Sequence, residues 1–284
     1  MGNGDSRLKT EALQEFRRKL QADKPVFGLW STLPSPTITA IAVEAGLDWV
    51  AIDAEHGSFD WATIERHIRA TVRSSTVLIV RVSELNSSLF KRSLDIGADG
   101  VSAPFISTAA DVRQAVDYAL YPPKGIRAVG GDRATGWAQC LATHVVEAND
   151  NVLILPNLET VEASRNLDQM LEVPGVDTYF FGPADFSASA GYPGQWQGPG
   201  VAEALLDMKD RIRAAGKHCG IIAGSPEDVC LRLEQGFRMI AVGSDSGLLI
   251  KGLRQSLLSI GRDTALTTSL IPLNNLKGMT ANND

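Results

Sequence analysis

The chain has 284 residues, 44% of them hydrophobic and 21% charged, which is enough for one large α/β barrel or for two modest domains. Its net charge of −6 provides no basic surface of the kind that binds nucleic acid. The N-terminal segment is polar, and no apolar run approaches the roughly 18 residues that a membrane span requires. We therefore predict a cytoplasmic protein with neither a nucleic-acid nor a membrane partner.

The cysteines support the same prediction. Cys140, Cys219 and Cys230 form neither a CxxC motif nor a zinc-binding spacing. Their odd number in a chain of this length indicates reduced thiols in a reducing compartment.

Short apolar segments alternate with helical patterns along most of the chain. A lead-in helix at residues 8–20 ends in basic residues. The strand-like segments that follow are residues 26–30, 48–53, 76–82, 100–105, 152–158, 176–181, 218–223 and 237–242. The helical patterns after them are residues 36–45, 60–71, 87–96, 109–120, 161–171, 201–215, 226–235 and 246–260.

These strand segments are continuously apolar, which indicates burial on both faces and hence a parallel sheet. Eight such units close naturally into a (β/α)8 TIM barrel, whereas an open doubly wound sheet is less favoured because no GxGxxG motif follows the first strand. We predict a lead-in segment at 1–25, a catalytic barrel at 26–262 and a tail at 263–284, with a short apolar piece at 270–273 that could dock on a neighbour. The long segment at 121–151 is typical of a functional loop or of one that carries small helices.

Polar residues that end the strands are the first candidates for a site, since the carboxyl ends of barrel strands converge. His56 follows the second strand and could transfer protons near neutral pH, or could simply be a loop histidine. Arg81 ends the third strand within an apolar run, where an unpaired charge is costly. A ligand carboxylate would satisfy it, and so would a structural ion pair with Asp53, Glu55 or Asp95.

Two acids, Glu159 and Asp185, follow two successive strands. Carboxylates that meet at a barrel mouth repel each other unless a cation or a proton lies between them, and oxygen ligands suit Mg²⁺ or Mn²⁺. Open coordination positions would suit a chelating 2-oxo acid. Asp185 could instead be the N-cap of the next helix, and paired acids could serve glycoside hydrolysis. His67, His144 and His218 are weaker candidates.

Several motifs, in this order, resemble the HpcH/HpaI class II aldolases, a family that includes 4-hydroxy-2-oxoheptanedioate and 2-dehydro-3-deoxyglucarate aldolases. They are FGLW at 27–30, DAEHG at 53–57, VRV at 80–82, LDIGA at 94–98, YPPKGIR at 121–127, LET at 158–160 and FGPADFS at 181–187. The resemblance spans residues 27–260. It implies a phosphoenolpyruvate/pyruvate-type barrel, usually a hexamer with a swapped C-terminal helix, that binds pyruvate through a divalent metal.

The resemblance also implies roles for individual residues. Glu159 and Asp185 match the ligands of Mg²⁺ or Mn²⁺, with Co²⁺ as another option. His56 matches the catalytic base, and Arg81 matches the residue that holds the pyruvate carboxyl and enolate oxygens. Asp95 matches an acid that raises the basicity of the histidine.

The remaining matches concern support and substrate contacts. Asp53 would support His56, and Ala184 matches a backbone contact to pyruvate next to Gly182 and Pro183. Asn157 stands where the family usually has glutamine, and its shorter amide would lie further from the substrate oxygen.

The function that we expect is therefore the reversible cleavage of a 4-hydroxy-2-oxo acid to pyruvate and an aldehyde through a metal-stabilised enolate, in a homo-oligomer such as a hexamer or a trimer of dimers. The alternative is a relative that uses oxaloacetate, by decarboxylation or by a condensation like that of macrophomate synthase or of a citrate synthase. A barrel that only binds a carboxylate is the least favoured hypothesis, because a binder has no need for a base.

Overall fold

The computed structural model describes residues 8–262 of the chain. Its strands are β1 (Val26–Ser31), β2 (Trp49–Asp53), β3 (Val77–Arg81), β4 (Gly100–Ala103), β5 (Leu153–Leu158), β6 (Thr178–Phe181), β7 (His218–Ile222) and β8 (Met239–Ser244). They pair in parallel in chain order, and β8 closes the barrel against β1. The predicted (β/α)8 barrel is confirmed, and the open sheet is wrong.

Helices of the described residues precede and follow these strands along the chain. They are α1 (Thr10–Gln21), α2 (Pro36–Glu44), α3 (Trp61–Thr71), α4 (Ser87–Asp95), α5 (Ala109–Ala119), α6 (Leu141–Asn151), α7 (Val161–Leu171), α8 (Pro183–Ser189), α9 (Val201–Ala214), α10 (Pro226–Glu234) and α11 (Asp245–Leu258). The long segment at 121–151 carries α6, as one of its two interpretations expected. We did not predict α8, because the Gly-Pro break before it reads as a turn. No helix within residues 8–262 has the length and apolar character that crossing a membrane requires.

Contacts within the chain divide it into two compact units, with the boundary between Ser246 and Gly247. The first unit contains α1 and the whole barrel, and the second begins inside α11. The predicted barrel domain extends further, to residue 262. The predicted tail at 263–284, with its apolar piece at 270–273, lies outside the described residues.

Alternate residues of each strand face two different cores. Inside the barrel, Trp49 and Ala51 pack with Val77 and Ile79 from β3 and with side chains of α1. The residues between them, such as Val50 and Leu78, face the surrounding helices. This period of two is the normal geometry of a strand, and it determines which polar residues enter the mouth of the barrel.

Candidate active site

The inward-facing positions of four strands become polar at their carboxyl ends. The last inward-facing positions of three strands are Asp53 on β2, Arg81 on β3 and Ser102 on β4. The strand register places them opposite one another. On β5 the inward series Leu153 and Leu155 continues to Asn157 and then to Glu159. The alternation of the strands therefore carries these side chains into one mouth.

A cavity of about 360 Å³ lies at this mouth. Its lining residues are Trp30, Asp53, His56, Arg81, Asn157, Glu159, Phe180, Phe181, Gly182, Pro183, Ala184, Asp185, Trp196 and Ile222. Every predicted site residue except Asp95 is among them. The sequence analysis missed the apolar members Trp30, Phe180 and Ile222, although their inward positions on the strands could have indicated them.

Arg81 is the centre of a buried ion-pair network. Its Nε and Nη2 atoms donate to the two carboxylate oxygens of Asp53 at 3.1 and 2.7 Å. Its Nη1 lies 3.1 Å from Glu55 Oε2, at an angle that does not make a regular hydrogen bond, and 3.8 Å from Glu159 Oε1. The guanidinium also lies 5.0 Å from the centre of the Trp30 ring. The structural ion pair expected as one alternative is thus present with Asp53 and Glu55.

These contacts set the charge states of the two acids. Burial opposes ionisation of Asp53, but the hydrogen bonds and charge of Arg81, together with the backbone N–H groups of His56 and Glu55, hold the pKa of Asp53 below its usual value. Burial raises the pKa of Glu55, although Arg81 counteracts it. Asp53 is therefore the permanent counter-ion of Arg81.

Glu159 is held by hydrogen bonds on both carboxylate oxygens. The amide of Asn157 donates to Oε1 at 3.1 Å, and the backbone N–H of Phe105 donates to Oε2 at 2.9 Å. Ser102 Oγ donates to the amide oxygen of Asn157 at 2.7 Å. In its ionised form the Glu159 carboxylate can only accept, so the nitrogen of the Asn157 amide faces Glu159 and its oxygen faces Ser102.

Two local features place Glu159 where these donors can reach it. Leu158 ends β5, and Thr160 already begins α7 by accepting the Ala163 N–H at 3.0 Å, so Glu159 has little freedom. Phe105 has a positive φ of 52°, a conformation that bulky non-glycine residues rarely adopt.

Asp185 approaches from the start of the short helix α8. Gly182 is the N-cap of this helix, so the alternative interpretation of Asp185 as the N-cap is wrong; the aspartate lies in the first turn. A side chain at Gly182 would collide with Glu159, because a Cβ atom there would be 2.7 Å from Glu159 Oε1. Glycine therefore lets the backbone of the β6 end pass close to the Glu159 carboxylate.

Among the described residues, the acids at the mouth outnumber the cations. Glu55 is repelled by Asp53 and Asp185, and Glu159 is repelled by Glu55 and Asp185. The guanidinium of Arg81 attracts both glutamates. Burial, supported by repulsion from Glu55 and Asp185, raises the pKa of Glu159 to about 7 against the Phe105 hydrogen bond. A bound cation would relieve this surplus of negative charge.

The donor set fits a divalent metal ion. Glu159 and Asp185 offer hard oxygen atoms; the groups that hydrogen-bond to Glu159 are neutral N–H donors, and the Arg81 guanidinium lies 3.8 Å from its Oε1. Within residues 8–262, no group of three or more His, Cys, Asp or Glu side chains is arranged to hold a metal. A site with two protein ligands leaves coordination positions for water and substrate, as Mg²⁺ usually requires.

His56 lies at the rim of the cavity, with 65% of its side chain exposed. The Glu55 carboxylate lies beside its ring, with Oε1 3.9 Å from Nε2. Asp53 supports the loop through the backbone instead, by accepting the N–H groups of Glu55 and His56. The predicted support from Asp53 thus reaches the main chain of His56, and Glu55 is the acid beside its ring.

Within the described residues, Asp95 lies away from this site. It ends α4 and accepts a hydrogen bond from Arg127 Nη2 at 2.7 Å. Helices of a barrel run opposite to the strands, so the carboxyl end of α4 lies at the end of the barrel away from the mouth. The proposed role of Asp95 in tuning His56 therefore receives no contact within the described chain.

The other candidate groups lie outside the cavity lining. His67 and His144 are buried, and burial lowers the pKa of each to about 4. The three cysteines are free, as predicted, with Cys140 and Cys219 buried.

A parallel barrel with an acid pair, an arginine and a histidine at the carboxyl ends of its strands has the architecture of a barrel enzyme. The chain belongs to the HpcH/HpaI aldolase/citrate lyase family, whose model matches residues 26–252. It is therefore a lyase-family barrel of the aldolase type.

Named relatives agree with this assignment. The chain is 38% identical over 239 residues to a 4-hydroxy-2-oxo-heptane-1,7-dioate aldolase of Klebsiella pneumoniae, covering 84% of this chain and 90% of the relative. It is 36% identical over 252 residues to a 2-keto-3-deoxy-L-rhamnonate aldolase of the same organism, covering 88% of this chain and 94% of the relative. A solved HpcH/HpaI aldolase/citrate lyase family protein from Burkholderia cenocepacia superposes with a TM-score of 0.82 at 30% identity, over 87% of this chain and 99% of that one.

Proposed function

We propose that the protein reversibly cleaves a 4-hydroxy-2-oxo acid to pyruvate and an aldehyde, using Mg²⁺ or Mn²⁺, with Co²⁺ as a further option. The observation that carries this proposal is the juxtaposition of the buried Glu159 with the half-buried Asp185 and the Arg81 network in one cavity. An acid pair and a fixed guanidinium suit a substrate that carries a carboxylate beside a ketone.

Glu159 and Asp185 would hold the metal ion. A divalent cation would supply Lewis acidity, which polarises the oxygens of a 2-oxo acid and stabilises the negative charge that develops as the enolate forms at C3 and the C2 oxygen. Asn157 and the Phe105 N–H keep the Glu159 carboxylate in place for this task.

Arg81 stabilises the negative charge that develops on the 2-oxo acid. Its Nε and Nη2 are occupied by Asp53, which fixes the guanidinium plane and leaves Nη1 on the side of Glu55 and Glu159. A donor that is oriented in advance lowers the cost of charge development in a water-poor site.

His56 is the group proposed to move the proton. In cleavage it accepts the proton of the C4 hydroxyl, the C3–C4 bond breaks, and its electron pair forms the enolate of pyruvate while C4 becomes the aldehyde carbon. Protonation at C3 then gives the methyl group of pyruvate. The exposed ring and the neighbouring Glu55 carboxylate are suited to exchange this proton with solvent.

Exchange of the pyruvate methyl protons in D₂O tests this proposal without knowledge of the aldehyde. We expect metal-dependent exchange that stops with a chelator and resumes when Mn²⁺ or Mg²⁺ is restored. Glu159→Gln should abolish it, whereas Glu162→Gln, a matched change at an exposed acid of α7, should not. Exchange that is absent, or that persists in the presence of chelator, contradicts the proposal.

The use of oxaloacetate is the alternative outcome of the same assay. Decarboxylation or condensation of oxaloacetate would generate the same enolate, so the test adds oxaloacetate in a parallel reaction. Release of pyruvate from oxaloacetate without any cleavage of 4-hydroxy-2-oxo acids would favour that alternative. Tight pyruvate binding without exchange would favour a carboxylate-binding barrel.

The proposed partner besides the substrates is a further copy of the chain, in a hexamer or a trimer of dimers. Helix α10 has no buried residue, and Leu231 on it and Ile41 on α2 are 43% and 63% exposed. In the second unit, Leu249 and Leu253 are 56% and 52% exposed. Exposed apolar groups of this size favour association. Sedimentation velocity tests this, and a monomer at micromolar concentration contradicts it.

A further inference from the structure

The carboxylate of Glu55 lies between Arg81 and His56. Its Oε2 is 3.1 Å from Nη1 of Arg81, and its Oε1 is 3.9 Å from Nε2 of His56. Only 10% of the Glu55 side chain is exposed, and Glu55 is not among the residues that line the active-site cavity. It is therefore placed to act on two residues that do line the cavity, and not on a substrate directly.

Arg81 anchors the Glu55 carboxylate. The guanidinium is itself fixed by Asp53, which accepts hydrogen bonds from Nε and Nη2, so Nη1 presents a positive charge of fixed position to Oε2 of Glu55. The backbone N–H of Glu55 also donates to Asp53 Oδ1 at 3.2 Å, which restrains the start of the side chain. The carboxylate is thus held in advance, and this lowers the cost of using it during a reaction.

The ring of His56 needs an orienting partner of this kind. The backbone N–H of His56 donates to Asp53 Oδ1 at 3.1 Å, but that contact leaves the side-chain torsions free, and 65% of the side chain is exposed. The orientation of a histidine ring is commonly set by an acid beside one of its nitrogens. Oε1 of Glu55 is in the position to do this for Nε2.

Charge gives a second connection between Glu55 and His56. The guanidinium of Arg81 already pairs with Asp53, so its single charge does not fully balance Glu55 as well. Burial raises the pKa of Glu55, whereas the positive charges of Arg81 and of protonated His56 lower it. A ring that takes up a proton thus becomes a cation beside a carboxylate that lacks a full counter-charge.

We infer that Glu55 is a positioning residue for His56: anchored by Arg81, it orients the ring and supplies the counter-charge while the ring carries the transferred proton. The inference rests on the proposed function. In pyruvate exchange, a methyl C–H bond breaks, its electron pair enters the enolate and its proton passes to His56, while Glu55 takes no proton. Return of a deuteron acquired from solvent to C3 completes the exchange.

Glu55→Gln tests the inference, because it keeps the size of the side chain and removes its charge. We expect pyruvate methyl exchange with Mn²⁺ to fall by roughly 10- to 100-fold, a part of the factor of about 10²–10⁴ that a general base contributes. The affinity for oxalate, which resembles the enolate of pyruvate in shape and charge, should not weaken in calorimetry with Mn²⁺, because Arg81 stays in place and the mouth loses a negative charge.

Two results of this experiment contradict the inference. Exchange at the wild-type rate in Glu55→Gln would show that the carboxylate does not support the proton transfer. Loss of oxalate affinity together with exchange would show that the substitution damages the Arg81 network, so that the effect does not pass through His56. Glu55→Asp, which keeps the charge but draws it back by one methylene from the ring, gives the same readouts if Glu55→Gln does not fold.

A double variant tests whether Glu55 acts through the histidine. His56→Asn should itself slow exchange, and adding Glu55→Gln should then cost little more, because the ring on which Glu55 acts is gone. The residual rates are measured at raised enzyme concentration. An undiminished effect of Glu55→Gln in the His56→Asn protein overturns the inference. Glu65→Gln is the matched control and should exchange at the wild-type rate, since Glu65 also pairs with an arginine, Arg69, but does not contact the cavity.

The wild-type protein separates failure of this inference from failure of the proposed function. If the wild type shows metal-dependent exchange and Glu55→Gln exchanges equally fast, the proposed chemistry stands and only the role of Glu55 is wrong. If the wild type shows no metal-dependent exchange, the proposed function fails and the inference fails with it.

Discussion

Asp53 and Arg81 occupy paired positions of neighbouring strands and bond to each other through two nitrogens and two oxygens, at 3.1 and 2.7 Å. Both side chains are buried. The pair fixes the plane of the guanidinium, and Trp30 supports one face of it. A bidentate pair of this kind gives orientation as well as charge, and lysine cannot reproduce it.

Arg81→Lys should therefore retain the charge and lose the orientation. We expect pyruvate methyl exchange to fall by roughly 100-fold, since one oriented oxyanion donor contributes about that factor. Mn²⁺ affinity, measured by calorimetry, should remain close to that of the wild type. Arg81→Ala should remove turnover by orders of magnitude and also destabilise the fold by roughly 3–5 kcal/mol, because Asp53 would be left unpaired.

Arg69→Lys is the matched control for this experiment. Arg69 also bonds through two nitrogens to one acid, Glu65, but on the exposed face of α3. Its replacement should change neither exchange nor stability measurably. Near-normal exchange in Arg81→Lys would contradict the orienting role of the Asp53 pair.

Two successive hydrogen bonds connect Ser102 to Asn157 and Asn157 to Glu159. Substitutions of Ser102 and Asn157 should therefore lower the metal affinity non-additively. Asn157→Ala should weaken Mn²⁺ binding by roughly 10- to 100-fold, as loss of a supporting hydrogen bond to a metal ligand typically does. Ser102→Ala should weaken it less, because Ser102 acts only by orienting the Asn157 amide.

The double variant should bind Mn²⁺ about as weakly as Asn157→Ala alone, since the Ser102 contact has no effect once the amide is gone. Asn166→Ala is the control, because Asn166 donates to the Ser107 carbonyl and does not line the cavity. If the two losses of Mn²⁺ affinity add in the double variant, or if neither substitution changes this affinity, Ser102 does not act on Glu159 through Asn157.

Gly182 should be required for metal binding and not for folding. In Gly182→Ala the new Cβ would lie 2.5 Å from Cγ of Glu159, so the carboxylate must move. We expect Mn²⁺ affinity to fall at least 10-fold with the circular dichroism spectrum retained. Gly252→Ala in α11 meets no atom within 4 Å, and it should keep full affinity and gain up to about 1 kcal/mol of helix stability.

The barrel was predictable because its strands are continuously apolar and alternate with helices. The mouth residues were predictable for the same reason, since Asp53 and Arg81 end strands and Glu159 directly follows one. Glu55 was considered only as a partner of Arg81, and its proximity to the His56 ring depends on how the β2 loop turns.

Other features depend on contacts that sequence spacing does not reveal. The Asn157 amide is held by Glu159, which accepts from its nitrogen, and by Ser102, 55 residues earlier in the chain, which donates to its oxygen. The resemblance implied a role for Asp95, but it did not indicate at which end of the barrel the residue lies. The predicted helix at 87–96 already placed Asp95 near its carboxyl end. Because barrel helices run opposite to the strands, that end lies away from the mouth.

Buried His67 should make the protein less stable in mild acid. Its ring is inaccessible to solvent, its Nδ1 lies 2.7 Å from Thr39 Oγ1, and its Nε2 has no hydrogen-bond partner among the described residues. Burial lowers the pKa of His67 from 6.5 to about 4, with Asp245 acting weakly in the opposite direction. Between these pH values the unfolded state binds more protons than the folded state, so the free energy of unfolding falls as the pH falls.

The expected contribution of His67 is a loss of about 2 kcal/mol between pH 7.5 and pH 5.0. His67→Asn should be less stable at pH 7.5, because it loses the ring contact with Phe59, but its stability should decline less with acid. Urea unfolding at both pH values measures the difference. His56→Asn, at the exposed rim histidine, should retain the wild-type decline. Equal declines in His67→Asn and the wild type would show that His67 does not titrate in this range.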